Sequence, residues 1–267
     1  MKSIASKGEA ANSGMARMWR KSLTAAVLCI APLASLHAQP TISGQPASLI
    51  DVWFALPDIE AIAWPYAFMR ADSTDVSEKA HRADLFDQIN QLRWRLEAGG
   101  YAELAKAVTR WKSELAKTEH YRQPGDWSPG WLMAHPNKRP PVSRVAAIGY
   151  CAVPNTVEIW DEAGVHRVDW TPRLHLSDLL DRDPDLKGGT TDEIAIVSPQ
   201  GDVDHYGVAP WNYADTELAP GSRVVGAIDL DGAVFPWMRD AIAGLLAHTP
   251  VGQNCRRFPL NASASHD

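Results

Sequence analysis

The sequence predicts an α+β chain, on three observations. Two amphipathic helical stretches meet at a Gly-Gly turn, Gly99-Gly100. Further along, strand patterns alternate with one Leu-rich helix. A Pro-Gly turn, Pro220-Gly221, then leads into the last strand of that region. Strands, one helix, a hairpin and a final strand suggest a mixed sheet wrapped over one helix, the β-grasp arrangement.

The N-terminus has the order of a secretory leader. Arg17, Arg20 and Lys21 precede the apolar run Leu23 to Leu33, and Ala34-Ser35-Leu36-His37-Ala38 supplies small residues before a cut. Residues 1–38 are therefore expected to be a cleavable signal peptide, cut after Ala38, that delivers the chain to the periplasm of a Gram-negative bacterium. A membrane anchor needs about 20 apolar residues, and Pro32 interrupts this shorter run. Cys29 follows Leu28 rather than the small residue that lipidation would want.

About 229 residues then remain, enough for two small domains or one larger one. The net charge of −6, with acids and bases intermixed, gives no electrostatic footprint for nucleic acid. Two cysteines persist beyond the leader. Cys151 and Cys255 are a candidate disulfide in an oxidising compartment, or else two separate buried thiols.

Taken in order, Ala47 to Leu56 has helical spacing with Ser48 as a cap, and Pro57-Asp58 stops it. Ile59 to Met69 contains Pro65 and is expected to be extended, with Trp64 and Tyr66 at a sheet edge. From Asp75 to Glu97, Leu85, Ile89, Leu92 and Leu96 form one helical stripe; a second helix from Tyr101 to Lys117 carries Leu104, Val108, Trp111 and Leu115. Gly99-Gly100 between them predicts a helical hairpin. Residues 119–142, rich in Pro, Trp and Gly, read as irregular structure with short strands. Val145–Val153 and Thr156–Trp160 read as strands, Leu174–Leu180 as a helix, and Glu193–Val197 and Asp202–Val208 as strands about the turn Ser198-Pro199-Gln200-Gly201. Leu218 to Ile228 is a turn leading into a strand, and Phe235 to Leu246 is an amphipathic helix with Pro236 in its first turn.

The order of these elements resembles the capsule-biosynthesis GfcC-like family of periplasmic proteins. The resemblance is carried by Ile194-Ala195-Ile196-Val197-Ser198-Pro199-Gln200-Gly201, Val208-Ala209-Pro210-Trp211-Asn212 and Glu217-Leu218-Ala219-Pro220-Gly221-Ser222. Leu49-Ile50-Asp51-Val52, Trp64-Pro65 and Leu245-Leu246-Ala247-His248 add weaker matches, so that it covers most of residues 42–249. It implies two β-grasp (SLBB-like) domains related to those of the outer-membrane polysaccharide exporter Wza. On that reading 39–142 is the first β-grasp domain, with a helical hairpin inserted at about 74–117, and 143–231 is the second. Residues 232–249 are a C-terminal amphipathic helix and 250–267 a flexible tail. A marked arginine follows the family's helical insertion, and Arg122 matches that position, although Glu119-His120-Tyr121 departs from the apolar lead-in expected before it.

No catalytic constellation stands out. Seven histidines from His81 to His248 are scattered without metal-ligand spacing, no Cys-x-x-Cys occurs, and no metal or cofactor is expected. Asp181/Asp183 and Asp202/Asp204 are carboxylate pairs of the kind glycoside hydrolysis needs, but local Asp-x-Asp is commonly a solvated turn. The expectation is a non-enzymatic accessory protein of capsule or exopolysaccharide biosynthesis and export that binds polysaccharide or the outer-membrane export protein. A periplasmic carbohydrate-active enzyme and a purely structural partner of the exporter are the competing classes.

Ten of the eleven tryptophans lie beyond the leader; Trp64, Trp127, Trp131, Trp211 and Trp237 stand beside proline or glycine, where rings can be exposed to stack on sugars. Arg122, Trp211 and Asn212 are the candidate binding residues. Arg122 either grips an anionic sugar through its planar fork or is a buried structural arginine. Trp237, Met238, Ile242 and Leu245 form a candidate docking face of the C-terminal helix, the alternative being a helix folded back on its own domain.

Overall fold

The structure is a computed structural model that describes residues 48–72, 75–118, 122–183, 186, 192–230, 233–234 and 236–260. The expected signal peptide and its cut after Ala38 lie outside the described residues. The fold is α+β, with a three-stranded sheet and a five-stranded mixed sheet.

The first sheet begins from helix α1 (Leu49–Phe54). The Ser48 hydroxyl accepts the Asp51 N–H at its start, and Leu49, Val52 and Trp53 are buried. Ile59–Ala61 and Trp64–Tyr66 are single 3-10 turns, not the extended run expected there. Pro57 and Pro65 break the ladder on either side, so extended backbone starts only at strand β1 (Ala67–Ala71).

Helices α2 (Asp75–Ala98) and α3 (Ala102–Lys117) follow, with Gly100 in the left-handed region between them at φ 83°. Arg82, early in α2, donates to the Leu115 and Thr118 carbonyls at the end of α3, so the start of one helix lies against the end of the other. The stripe Leu85, Ile89, Leu92 and Leu96 is buried, and each such side chain contributes about 1.5–3 kcal/mol by leaving water.

Residues 129–134 then form α4 (Pro129–Ala134) where short strands were expected. Ser128 caps it by accepting the Trp131 N–H, and Pro129 occupies its first position. This Ser-Pro signal is a helix start rather than a strand. Strand β2 (Val145–Ala152) pairs antiparallel with β1.

The second sheet opens with antiparallel strands β3 (Thr156–Asp161) and β4 (Gly164–Asp169). Helix α5 (Leu176–Arg182) and antiparallel strands β5 (Glu193–Val197) and β6 (Val203–Gly207) follow. Strand β7 (Arg223–Val225) enters between the two pairs, parallel to β3 and antiparallel to β5, giving the order β4-β3-β7-β5-β6. Two short strands, β8 (Asp229–Leu230) and β9 (Ala233–Val234), lead to helix α6 (Pro236–Ala247). The chain ends in β10 (Gln253–Pro259), antiparallel to β2. The expected loose tail from 250 is thus a strand over part of its length: the open edge of β2 supplies ladder partners that a polar sequence does not advertise.

Strand alternation places the core on both faces of the second sheet. Val157, Ile159, Ile194, Ile196 and Val224 face α5 and its leucines. Their neighbours Trp160, Ala195, Val197 and Val225 face α2, α3 and α6. The two helices inserted between β1 and β2 in sequence therefore pack on the five-stranded sheet. The first sheet packs with α1 and α4 in a separate core around Trp53, Leu132 and Ile148.

Cys151 of β2 and Cys255 of β10 are joined as a disulfide. No helix among the described residues is long and apolar enough to cross a membrane.

Candidate binding loop and the arginine clasp

Of the expected binding residues, Trp211 alone presents its side chain to solvent, with 75% of it accessible. It sits on the loop after β6, beside the exposed Tyr213. The loop is held from within by Asn212. Its Oδ1 accepts the Ala209 N–H at 3.1 Å, and its Nδ2 donates to the Asp192 carbonyl at 2.8 Å. The chain also approaches Gly207 so closely that a Cβ there would meet the Asn212 carbonyl and side-chain carbon. Asn212 thus positions the loop through its amide, which keeps one N–H and one oxygen lone pair beyond these two bonds.

The far side of the loop is tied to the start of α5. Asp215 accepts the Ser177 N–H at 3.0 Å and hydroxyl at 3.1 Å, and its carboxylate lies 3.2 Å from His175 Nδ1. Against the desolvation that raises it, these hydrogen bonds and His175 hold the Asp215 carboxyl below its ordinary value. Backbone bonds Leu176 N to Thr216 O and Leu218 N to Leu174 O complete the tie. The braced loop thus carries two exposed aromatic side chains, Trp211 and Tyr213.

Arg122 is elsewhere and does a different job. Its side chain is buried, 2% exposed, against the C-terminal end of α6. Nε donates to the Ala247 carbonyl at 2.8 Å and Nη1 to the Pro199 carbonyl. Arg223 of β7 works beside it, donating to the Leu246, Thr249 and Pro250 carbonyls at 2.8 to 3.1 Å. Together the two guanidinium groups meet the Leu246 and Ala247 carbonyls, two of those that a helix end leaves without intrahelical partners. Burial, then the neighbouring Arg223, push the Arg122 pKa down to about 9, with Asp202 opposing; the group keeps its charge at neutral pH. Gly201, at φ 91°, leaves room for this guanidinium, which a Cβ would strike. The sugar-gripping reading of Arg122 is therefore replaced by the structural one.

The candidate docking face of α6 is divided between the core and the surface. Met238 and Ile242 are buried with Leu246 against the five-stranded sheet, and Leu245 packs partly against the same core. Trp237, 43% exposed, is the member of that set left on the surface. The apolar stripe of α6 is satisfied by its own sheet. Between α6 and α2 runs a groove of about 400 Å³ lined by Leu85, Gln88, Ala241 and Leu245.

Trp64, Trp127 and Trp131, candidates for either sugar stacking or core packing beside their prolines and glycines, pack partly buried against the first-sheet core. Trp94 of α2 is 65% exposed and was not singled out by sequence reasoning, because its neighbours Arg93 and Arg95 carry no turn signal. Asp202 accepts the Ser198 hydroxyl within a turn, and Asp183 lies 2.8 Å from His166. Among the described residues, Asp161, His166 and Asp183, near the C-terminal end of α5, have His and carboxylate donor atoms close enough together for a metal.

Residues 164–247, from β4 to the end of α6, match the family model described as capsule biosynthesis GfcC C-terminal. The match makes residues 164–247 similar to the C-terminal part of that family. It spans the Trp211 loop, α5 and the Arg223 half of the clasp.

Proposed function

From this match we propose that the chain is a periplasmic accessory protein of capsule or exopolysaccharide biosynthesis and export, acting by binding rather than catalysis. The observation that carries the reading is the family match over residues 164–247. The five-stranded sheet supports its β-grasp part: two antiparallel pairs flank one strand that runs parallel to β3, and α5 crosses one face. The α2–α3 pair takes the part of the inserted helical hairpin, although it lies on the second sheet. Reading residues 39–142 as a first β-grasp domain rests on the family resemblance, and its strand β1 pairs with β2, which lies beyond that span.

Trp211 and Tyr213 are the residues proposed to meet polysaccharide, on a loop braced by Asn212 and Asp215. The disulfide suits an oxidising compartment and so supports delivery to the periplasm after removal of residues 1–38. A partner role at the export assembly is the second reading, favoured by the groove between α2 and α6 with Trp237 nearby.

The deciding experiment is capsule output in a strain deleted for the gene, measured as surface-bound and secreted polymer. Lost or redistributed polymer, restored by the wild-type gene but not by Trp211→Ala, is expected. Unchanged polymer in both fractions, with the gene expressed, would refute the capsule role.

A further inference from the structure

The β3–β4 hairpin and the end of α5 bring together three groups that lie far apart in any motif sense. On β3, Val157, Ile159 and Asp161 share the face that meets α5; on β4, His166 stands opposite Ile159 and shares that face. Asp183 follows the last turn of α5, its N–H bonded to the Leu179 carbonyl. One donor atom from each of Asp161, His166 and Asp183 lies within 4.8 Å of the other two.

Asp161 is the anomalous member. Its side chain is 1% exposed. Oδ1 accepts the Ala163 and Gly164 N–H groups at 2.9 and 3.1 Å, which fixes the hairpin turn. Oδ2 is buried with no hydrogen-bond partner and lies 3.8 Å from His166 Nδ1. A buried carboxylate oxygen without a donor is costly, so something not yet named is expected to meet it. The neighbouring cation does not: Arg110 donates instead to the Ala163 carbonyl. Trp111 Nε1 donates to the Asp161 and Gly164 carbonyls, and so holds the turn from the opposite face without touching Oδ2.

We propose that Asp161, His166 and Asp183 form a binding site for a single zinc-type divalent cation. Two carboxylates and a neutral imidazole cancel the charge of such an ion, and imidazole with carboxylate is a donor set that zinc accepts. Zinc takes nitrogen and oxygen ligands at about 2.0–2.2 Å, which spaces neighbouring ligands by roughly 3.3–3.6 Å in a tetrahedral shell. The 3.8 Å between His166 Nδ1 and Asp161 Oδ2 is close to that spacing, whereas Asp183 Oδ2 lies 2.8 Å from the other ring nitrogen, Nε2, so an ion held by all three replaces that hydrogen bond. Side-chain rotation of His166 and Asp183, both partly exposed, accommodates the ion while Asp161 stays fixed by its two amides. The remaining coordination falls to water on their solvent side. The ion would staple the β3–β4 turn to the end of α5, and its binding is independent of polysaccharide.

The test uses tag-free protein, stripped with chelator and titrated with zinc chloride by calorimetry, with the thermal midpoint followed in parallel. One ion per chain and a raised midpoint are expected. Asp161→Asn keeps the Oδ1 acceptor that holds the turn, while His166→Ala removes the imidazole; each should weaken binding by about tenfold or more and abolish the midpoint shift. His205→Ala, at the exposed cluster with Glu193, should leave both unchanged. The proposal fails if the wild type takes up no zinc, or if either site variant, folded by circular dichroism, binds it as the wild type does.

Discussion

Replacing Arg122 by alanine separates a structural arginine from a ligand-gripping one. The substitution removes the donors to the buried Ala247 and Pro199 carbonyls and leaves the backbone bonds of residue 122 with His248 intact. Each carbonyl stripped of its partner costs about 1–3 kcal/mol. Relief of the repulsion from Arg223 and removal of the unsatisfied Nη2 offset part of that loss. A net destabilisation of about 3 kcal/mol is expected, or about 6–12 °C in the unfolding midpoint for a chain of this size. Arg122→Lys keeps a charge but not the fork that reaches two carbonyls in different directions, so it should recover only part of the loss. Thermal and urea unfolding read the stability, and retention of purified polymer per folded molecule reads the binding. A variant that unfolds at the wild-type temperature yet loses polymer would show that the guanidinium meets ligand and that the clasp on α6 carries no weight.

Three other outcomes follow from the same geometry. Cys255→Ser should lower stability by roughly 3–4 kcal/mol in denaturant titration, because the bridge closes a span of 104 residues, and the loss should match that of reduced wild type. Trp211→Ala should leave the unfolding midpoint within about 1 °C, since an exposed ring contributes little to stability, while polymer retention on an affinity column falls; retention equal to wild type would remove Trp211 from the binding surface. Tyr66 donates its hydroxyl to the Pro220 carbonyl at 2.7 Å, and burial pushes its pKa up to about 12. The folded state then holds the phenolic proton that the unfolded chain releases near pH 10, so stability present below that pH is lost as pH rises towards 12, by about 1–2 kcal/mol. Tyr66→Phe should flatten that slope in unfolding measured across the same range.

Helical periodicity was the most legible feature. Leu85, Ile89, Leu92 and Leu96 are buried as their spacing requires, and Ser48 caps α1 as its position suggests. Strands β2, β3, β5 and β6 are legible for the same reason, since alternation at period two reports a face. Elements formed by pairing rather than pattern were not. Strand β10 is exposed over most of its length and exists because β2 offers an edge and Cys151 a partner. Strand β4 was missed because Gly164, His166 and Arg167 interrupt its apolar face.

Surface roles were harder still, and the reason is physical. Exposure is a property of what covers a side chain, and a stripe does not name its cover. The apolar face of α6 reads equally as a docking surface or as core, until β5 and β7 are found against it. Arg122 poses the same ambiguity with charge: its sequence setting cannot reveal that it closes the end of a helix about 125 residues away. Trp211 escapes the ambiguity because its loop is stiffened by Asn212 and Gly207, so that the ring is held outward rather than left to collapse. Asn212 beside it holds the loop backbone through its amide. In this chain Arg122, Asn212 and Asp215 are spent in fixing loops and a helix end, while Trp211 and Tyr213 keep their rings exposed.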